Sequence, residues 1–157
     1  MHKTIVIIPI YNCENQIGRV LEKMQDIQYK NIQEVLIIDN RSIDNTVSAV
    51  LSSLKWLNSN IKVTFIQNAQ NYGFGGSMKV GFRYSKNQGY EYVVILHGDD
   101  QADIREIVPI LNNNHAMNCD CILGARFMNL ERLAGYSRIK TYGNLFFNAL
   151  VFLTVIQ

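Results

Sequence analysis

The sequence predicts an α/β fold, a three-layer α/β/α sandwich built on a mostly parallel sheet. Two observations carry this. Short, continuous apolar runs alternate with segments whose apolar residues keep helical spacing, the pattern of buried parallel strands joined by amphipathic crossovers. Polar and glycine-rich residues also gather where each apolar run ends, as they do when strand ends share one edge of a sheet.

Thr4–Ile8 is the first apolar run, and Ile17, Val20, Leu21, Met24 and Ile27 follow on one helical face. Glu34–Asp39 is the second strand. Asp44 then suits the cap of a helix carrying Val47, Val50, Leu51 and Leu54. Ile61–Gln67 is the third strand and 76–86 the third helix. Tyr92–Leu96 is the fourth strand, and Asp103 suits the cap of a helix holding Ile104, Ile107, Val108 and Leu111. Cys121–Gly124 is expected to be a fifth strand. Right-handed crossovers then place helices on both faces.

The chain has 157 residues, 48% of them hydrophobic and 18% charged, which suits one compact domain. Fifteen Lys and Arg against thirteen Asp and Glu leave a net charge of +2. That balance argues against a nucleic-acid binder, which carries a strong basic stripe. The three cysteines, Cys13, Cys119 and Cys121, are odd in number and lack a second pair at zinc-ligand spacing. The first apolar run is too short for a secretory signal. A reducing, cytoplasmic setting is expected. Residues 145–156 are almost wholly apolar, yet fewer than the about 20 a spanning helix needs. The expectation is an apolar helix over 139–157, cut short and leading toward a membrane-associated region.

In open parallel sheets, ligands sit beyond the carboxyl ends of the strands. Here those ends read Pro9-Ile-Tyr-Asn12, Asp39-Asn-Arg-Ser42, Asn68 to Gly76, His97 to Gln101, and Arg126. Asp39 can accept from a base imide or a ribose hydroxyl, while Asp44 and Thr46 read as capping and turn residues. Asn71-Tyr-Gly-Phe-Gly-Gly-Ser77 is a glycine-rich loop entering a helix, suited to an anion such as a diphosphate. It is neither a dinucleotide fingerprint nor a P-loop. His97-Gly-Asp-Asp-Gln101 is the sharpest feature. Adjacent carboxylates at a strand end repel unless a cation compensates, and Mg or Mn shares oxygen ligands with substrate phosphates. Arg126, Arg138 and Lys140 suit phosphate recognition or an anionic membrane surface.

Ile8-Pro-Ile-Tyr-Asn12, Leu36 to Thr46, Asn71 to Gly76 and Leu96-His-Gly-Asp-Asp-Gln101 resemble the successive motifs of family 2 glycosyltransferases, which have the Rossmann-like GT-A fold. Gly124-Ala-Arg126 and Tyr142-Gly-Asn144 continue the pattern. Within that family the chain is most similar to the dolichol-phosphate mannose synthase and polyprenyl-phosphate sugar transferase branch. The resemblance implies an inverting transfer from a UDP- or GDP-sugar, with Mn or Mg as cofactor and a polyprenyl phosphate acceptor at the cytoplasmic face of a membrane. It implies donor contacts from Pro9, Tyr11, Asn12, Glu14, Asp39, Ser42, Asn71, Gly75 and Asp99. Asp99 would hold the metal with Gln101 and His97 beside it, and Asp99 and Arg126 would carry catalysis. Arg126, Arg138 and Lys140 would meet acceptor or phosphate. Three positions depart from the family pattern. His97 stands in place of the first D-x-D aspartate, Cys13 where many relatives have Glu, and Arg41 in place of a usual Gly. A glycan or other hydroxyl acceptor, or a noncatalytic nucleotide-binding role, is the alternative.

Overall fold

The computed structural model describes residues 3–25, 32–57, 60–112 and 119–124, with residues 142, 143 and 146. The chain divides into two compact units, Met1–Asn118 and Cys119–Gln157.

Among the described residues, the first unit is built on a four-stranded sheet. Its strands are β1 (Thr4–Ile10), β2 (Ile32–Asp39), β3 (Lys62–Gln67) and β4 (Tyr92–Ile95), in the order β3-β2-β1-β4. Every pairing is parallel. The register is staggered usefully. Ile10 lies beside Asp39, and Asp39 beside Gln67, so three strands end level. β4 leaves the regular ladder earlier, at Ile95 opposite Ile7. The chain still runs on beside β1, since Leu96 N–H donates to Ile7 O at 3.0 Å and Gly98 N–H to Pro9 O at 3.4 Å.

The helices are α1 (Ile17–Glu22), α2 (Thr46–Ser53), α3 (Gly73–Asn87) and α4 (Val108–Asn112). Successive side chains of a strand point to opposite faces, and β1 divides accordingly. Val6, Ile8 and Ile10 pack with Ile17, Val20, Leu21 and Val50, under α1 and α2, and with Ile104. Ile5 and Ile7 join Leu36 and Ile38 on the other face, against Val80 and Tyr84 of α3. The handedness of the crossovers explains the split. β1→β2→β3 steps one way across the sheet, whereas β3→β4 returns the other way, so its helix must cover the opposite face. α3 lies close on the sheet there. A Cβ at Gly81 would sit 2.8 Å from Ile7 Cδ1 and 3.2 Å from Ile38 Cδ1.

The bounds of β1 to β4 follow the sequence reading to within two residues, and four larger differences stand out. α1 ends at Glu22 and tightens through Met24 and Gln25, whose N–H groups bond three residues back. α3 begins at Gly73, three residues earlier than glycine propensity suggests, because Asn71 Oδ1 accepts the Gly73 N–H at 2.8 Å. The fourth helix opens as a 3-10 turn, Ile104–Ile107, with Asp103 accepting the Arg105 N–H as its cap. Cys121–Gly124 form no strand; these residues of the second unit are exposed and make no ladder, so β propensity there lacks the partner that would fix it. The apolar segment 139–157 lies outside the described residues apart from Tyr142, Gly143 and Phe146, which are helical and exposed. Among the described residues, no helix is long and apolar enough to cross a membrane.

Candidate functional site

Between β1 and β4 the chain order of the strands breaks, and the crevice beyond such a break is where open α/β sheets bind ligands. A cleft opens there, lined by Pro9, Ile10, Tyr11, Cys13, His97, Gly98 and Asp99. Four of the expected site residues, Pro9, Tyr11, His97 and Asp99, thus meet. Gly98 makes the meeting possible. A Cβ on it would stand 2.5 Å from Ile10 Cγ2 and 3.4 Å from the Pro9 carbonyl.

The loops after β1 and β2 are stitched together. Asn12, at φ +48, donates its N–H to Ser42 Oγ at 3.0 Å, and its Oδ1 accepts the Ile43 N–H. Cys13 N–H donates to Thr46 Oγ1 at 2.7 Å, Glu14 N–H to Asp44, and Asn45 N–H back to Glu14. Asp44 also accepts the Thr46 N–H and hydroxyl, a turn one residue ahead of Asn45, which is the N-cap of α2 in place of the expected Asp44. Burial pushes the Cys13 thiol up to about 11, against the lowering effect of Thr46.

Asp39 is fully buried at the end of β2. Its carboxylate accepts the Ser42 N–H and hydroxyl and the Gln67 amide at 2.8 Å. It therefore shapes the turn at the same time as it stands at the strand end expected to meet a ligand. Beside it, buried Asn40 accepts from Asn68 and from the Tyr72 N–H, and donates to Asn71 at 2.7 Å. That fixes the glycine-rich entry of α3, where Gly75 is exposed on the first turn.

Asp99 and Asp100 have different surroundings. Asp99 is exposed, and one of its oxygens accepts the Gln101 N–H at 3.1 Å. Asp100 turns away, to Arg19 at 2.8 Å and Lys23 at 2.6 Å. Burial would raise its carboxyl, but hydrogen bonds from Lys23 and then Arg19 hold it below the usual aspartate value. His97 stacks on Phe74, with ring centroids 4.9 Å apart and 18° between planes. Among the described residues no group of three or more His, Cys, Asp or Glu is placed to hold a metal ion. Arg126, Arg138 and Lys140 lie outside the described residues.

Sequence reading did not single out Phe74, Gly98, Arg19 or Lys23. The two cations carried a signal: their i, i+4 spacing puts them on one helical face. Nothing local in the sequence names their partner, 77 and 81 residues away.

Among solved structures, S. aureus TarS (residues 1–349) superposes with a TM-score of 0.58 over 81% of this chain and 40% of its own, at 19% identity. The mannosyltransferase PcManGT from Pyrobaculum calidifontis, solved with GDP-Man and Mn2+, gives 0.52 over 62% of this chain and 27% of its own, at 25% identity. The UDP-N-acetylglucosamine–dolichyl-phosphate N-acetylglucosaminyltransferase of Methanococcus voltae is 30% identical over 162 aligned positions, 94% of this chain and 61% of that protein. An uncharacterised Methanocaldococcus jannaschii protein, MJ1222, is 24% identical over 94% of this chain and 56% of its own length. The chain thus spans about three fifths of the curated relatives it matches along most of its length. Residues 5–154 match the family model of Glycosyl transferase family 2. With the sheet order, the cleft at its break and this match along the chain, the protein belongs to glycosyl transferase family 2 and has the GT-A fold.

Proposed function

We propose that this chain is the donor-binding part of an inverting glycosyltransferase that moves a sugar from a UDP- or GDP-sugar to a polyprenyl phosphate, of the dolichyl or undecaprenyl kind. The observation that carries the reading is the cleft between β1 and β4, where an exposed Asp99 faces Pro9 and Tyr11. The named activity of the Methanococcus voltae relative supports the choice of acceptor. The Mn2+ and GDP-Man in the Pyrobaculum structure support metal-assisted donor binding.

In this reading Pro9, Tyr11, Asn12 and Glu14 border the base, with Asp39 and Ser42 beside it. Asn71 and Gly75 approach the diphosphate from the start of α3. Asp99 holds a divalent cation, Mn or Mg, with Gln101 and His97 adjacent. When bound, such an ion offsets the charge of the leaving diphosphate. Arg126, Arg138 and Lys140 meet the acceptor phosphate at the cytoplasmic face of a membrane. A phosphate acceptor is already an anion, so alignment and charge stabilisation carry the reaction rather than a general base.

Calorimetry with UDP- and GDP-sugars, with and without Mn2+, tests this. Metal-dependent binding is expected for one of them, and Asp99→Asn should abolish the metal dependence. Binding that ignores metal, or an Asp99→Asn variant with unchanged affinity, refutes the site.

A further inference from the structure

We propose that Asp100, gripped by Arg19 and Lys23, is a positioning residue that aims the neighbouring Asp99 into the cleft. The inference deepens the donor-binding reading above and rests on it. Two adjacent carboxylates after a strand invite a metal-binding role for both, but the geometry separates them. Asp100 Oδ2 accepts from Arg19 Nε at 2.8 Å, and Oδ1 from Lys23 Nζ at 2.6 Å. Both of its oxygens are engaged by cations that stand about one helical turn apart on the α1 side. Its side chain is 14% exposed, whereas that of Arg19 is 57% exposed, so the carboxylate is the enclosed partner.

The backbone points the same way. Asp100 sits at φ +62, in the left-handed region that most residues with a Cβ avoid and that Asp enters more readily than most. Such a conformation persists where its surroundings over-determine it. Here two ion pairs hold Asp100 from one side. From the other, Gly98 is pressed against Ile10, where a Cβ would stand only 2.5 Å from Ile10 Cγ2. Asp99 is carried between these two anchors. It lines the cleft, and its one internal bond, among the described residues, is from the Gln101 N–H within the same turn. Releasing Asp100 from the α1 cations would let the turn relax and the Asp99 carboxylate swing.

The test is calorimetric titration of the whole chain with Mn2+ and UDP or GDP, and with the nucleotide alone. Three variants are compared: Asp100→Asn, Arg19→Gln/Lys23→Gln, and the combination. The first two are each expected to weaken the Mn2+-dependent binding by about tenfold, the low end for partners that orient a metal ligand. The combination should lose no more than either, because all act through one contact. Metal-free nucleotide affinity should stay unchanged. If Asp100 is instead a metal ligand, Asp100→Asn loses Mn2+-dependent binding while Arg19→Gln/Lys23→Gln keeps or strengthens it, which overturns the proposal. Equal losses with and without metal mean that the contact only holds the fold, and overturn it too. A wild-type chain with no Mn2+-dependent binding of either nucleotide sinks the donor-binding reading itself, and this inference with it.

Discussion

Gly98→Ala tests how tightly the cleft is built. The new methyl would lie 2.5 Å from Ile10 Cγ2, 3.4 Å from Pro9 O and 3.5 Å from Cys13 Sγ. The first contact is severe, and Ile10 cannot yield cheaply. It is 2% exposed, and its β-branched χ1 has few alternatives. The second neighbour is backbone. Overpacking of this kind costs about 1–3 kcal/mol. Against it, alanine restricts the unfolded chain and returns about 0.4–1 kcal/mol. The net expectation is a loss of about 1–2 kcal/mol, or a fall in Tm of about 3–6 °C for a chain of this size. Urea and thermal unfolding of Gly98→Ala, Ile10→Ala and the double variant would measure it. Ile10→Ala alone is destabilising as a cavity, but it removes the colliding methyl. On that background the Gly98→Ala penalty should vanish, with a coupling of about 1–2 kcal/mol. A Gly98→Ala protein as stable as wild type, or a penalty unchanged by Ile10→Ala, refutes the close-packing argument.

Other consequences can be checked separately. Glu34 is fully buried, and accepts from Thr64, Tyr84, Tyr90 and Lys62. Burial would raise its carboxyl, but the hydrogen bonds, led by Thr64 and Tyr84, hold it below 4.5. The unfolded chain therefore binds the proton more readily, so the stability this group contributes is present above about pH 4.5 and lost as pH falls through the lower folded value. Glu34→Gln should cost about 2 kcal/mol at neutral pH and flatten that acid limb in urea titrations at several pH values. Phe74→Ala should cost no more than about 1.5 kcal/mol, since the ring is half exposed, yet shift the His97 ring resonances in carbon–proton NMR spectra as the stacked ring current is lost. Iodoacetamide at pH 8 followed by intact mass should add two labels quickly, at exposed Cys119 and Cys121, while buried Cys13, raised to about 11, resists until the fold opens.

The layers of this fold were legible because each strand had to satisfy a simple rule. Thr4–Ile10 and the Val35–Ile38 stretch of β2 are apolar nearly throughout, as strands covered on both faces must be. The expectation that strand ends converge was also readable, since Pro9, Tyr11, His97 and Asp99 end β1 and follow β4. What failed to show was anything decided by a distant partner. Cys121–Gly124 has the composition of a strand and no ladder to join. The partners of Asp100 were hidden because Arg19 and Lys23 lie 81 and 77 residues from it in the chain. Asp39 advertised a ligand contact, while its bonds to Ser42 and Gln67 depend on a turn and on a neighbouring strand that no local pattern reveals.

The seam between the loops after β1 and β2 has a bearing on substitution. Asn12, Cys13 and Glu14 on one side, and Ser42, Asp44, Asn45 and Thr46 on the other, exchange bonds in which a side chain of one loop answers a backbone amide of its neighbour. Each loop has bonds of its own, such as Ser42 to Asp39 and Thr46 to Asp44, but several of its amides are satisfied only by the other loop. Drift in one without matching drift in the other leaves an amide unanswered next to the cleft. The two segments, thirty residues apart in the chain, are therefore coupled: replacing Ser42 or Thr46 withdraws the acceptor from an amide of the other loop.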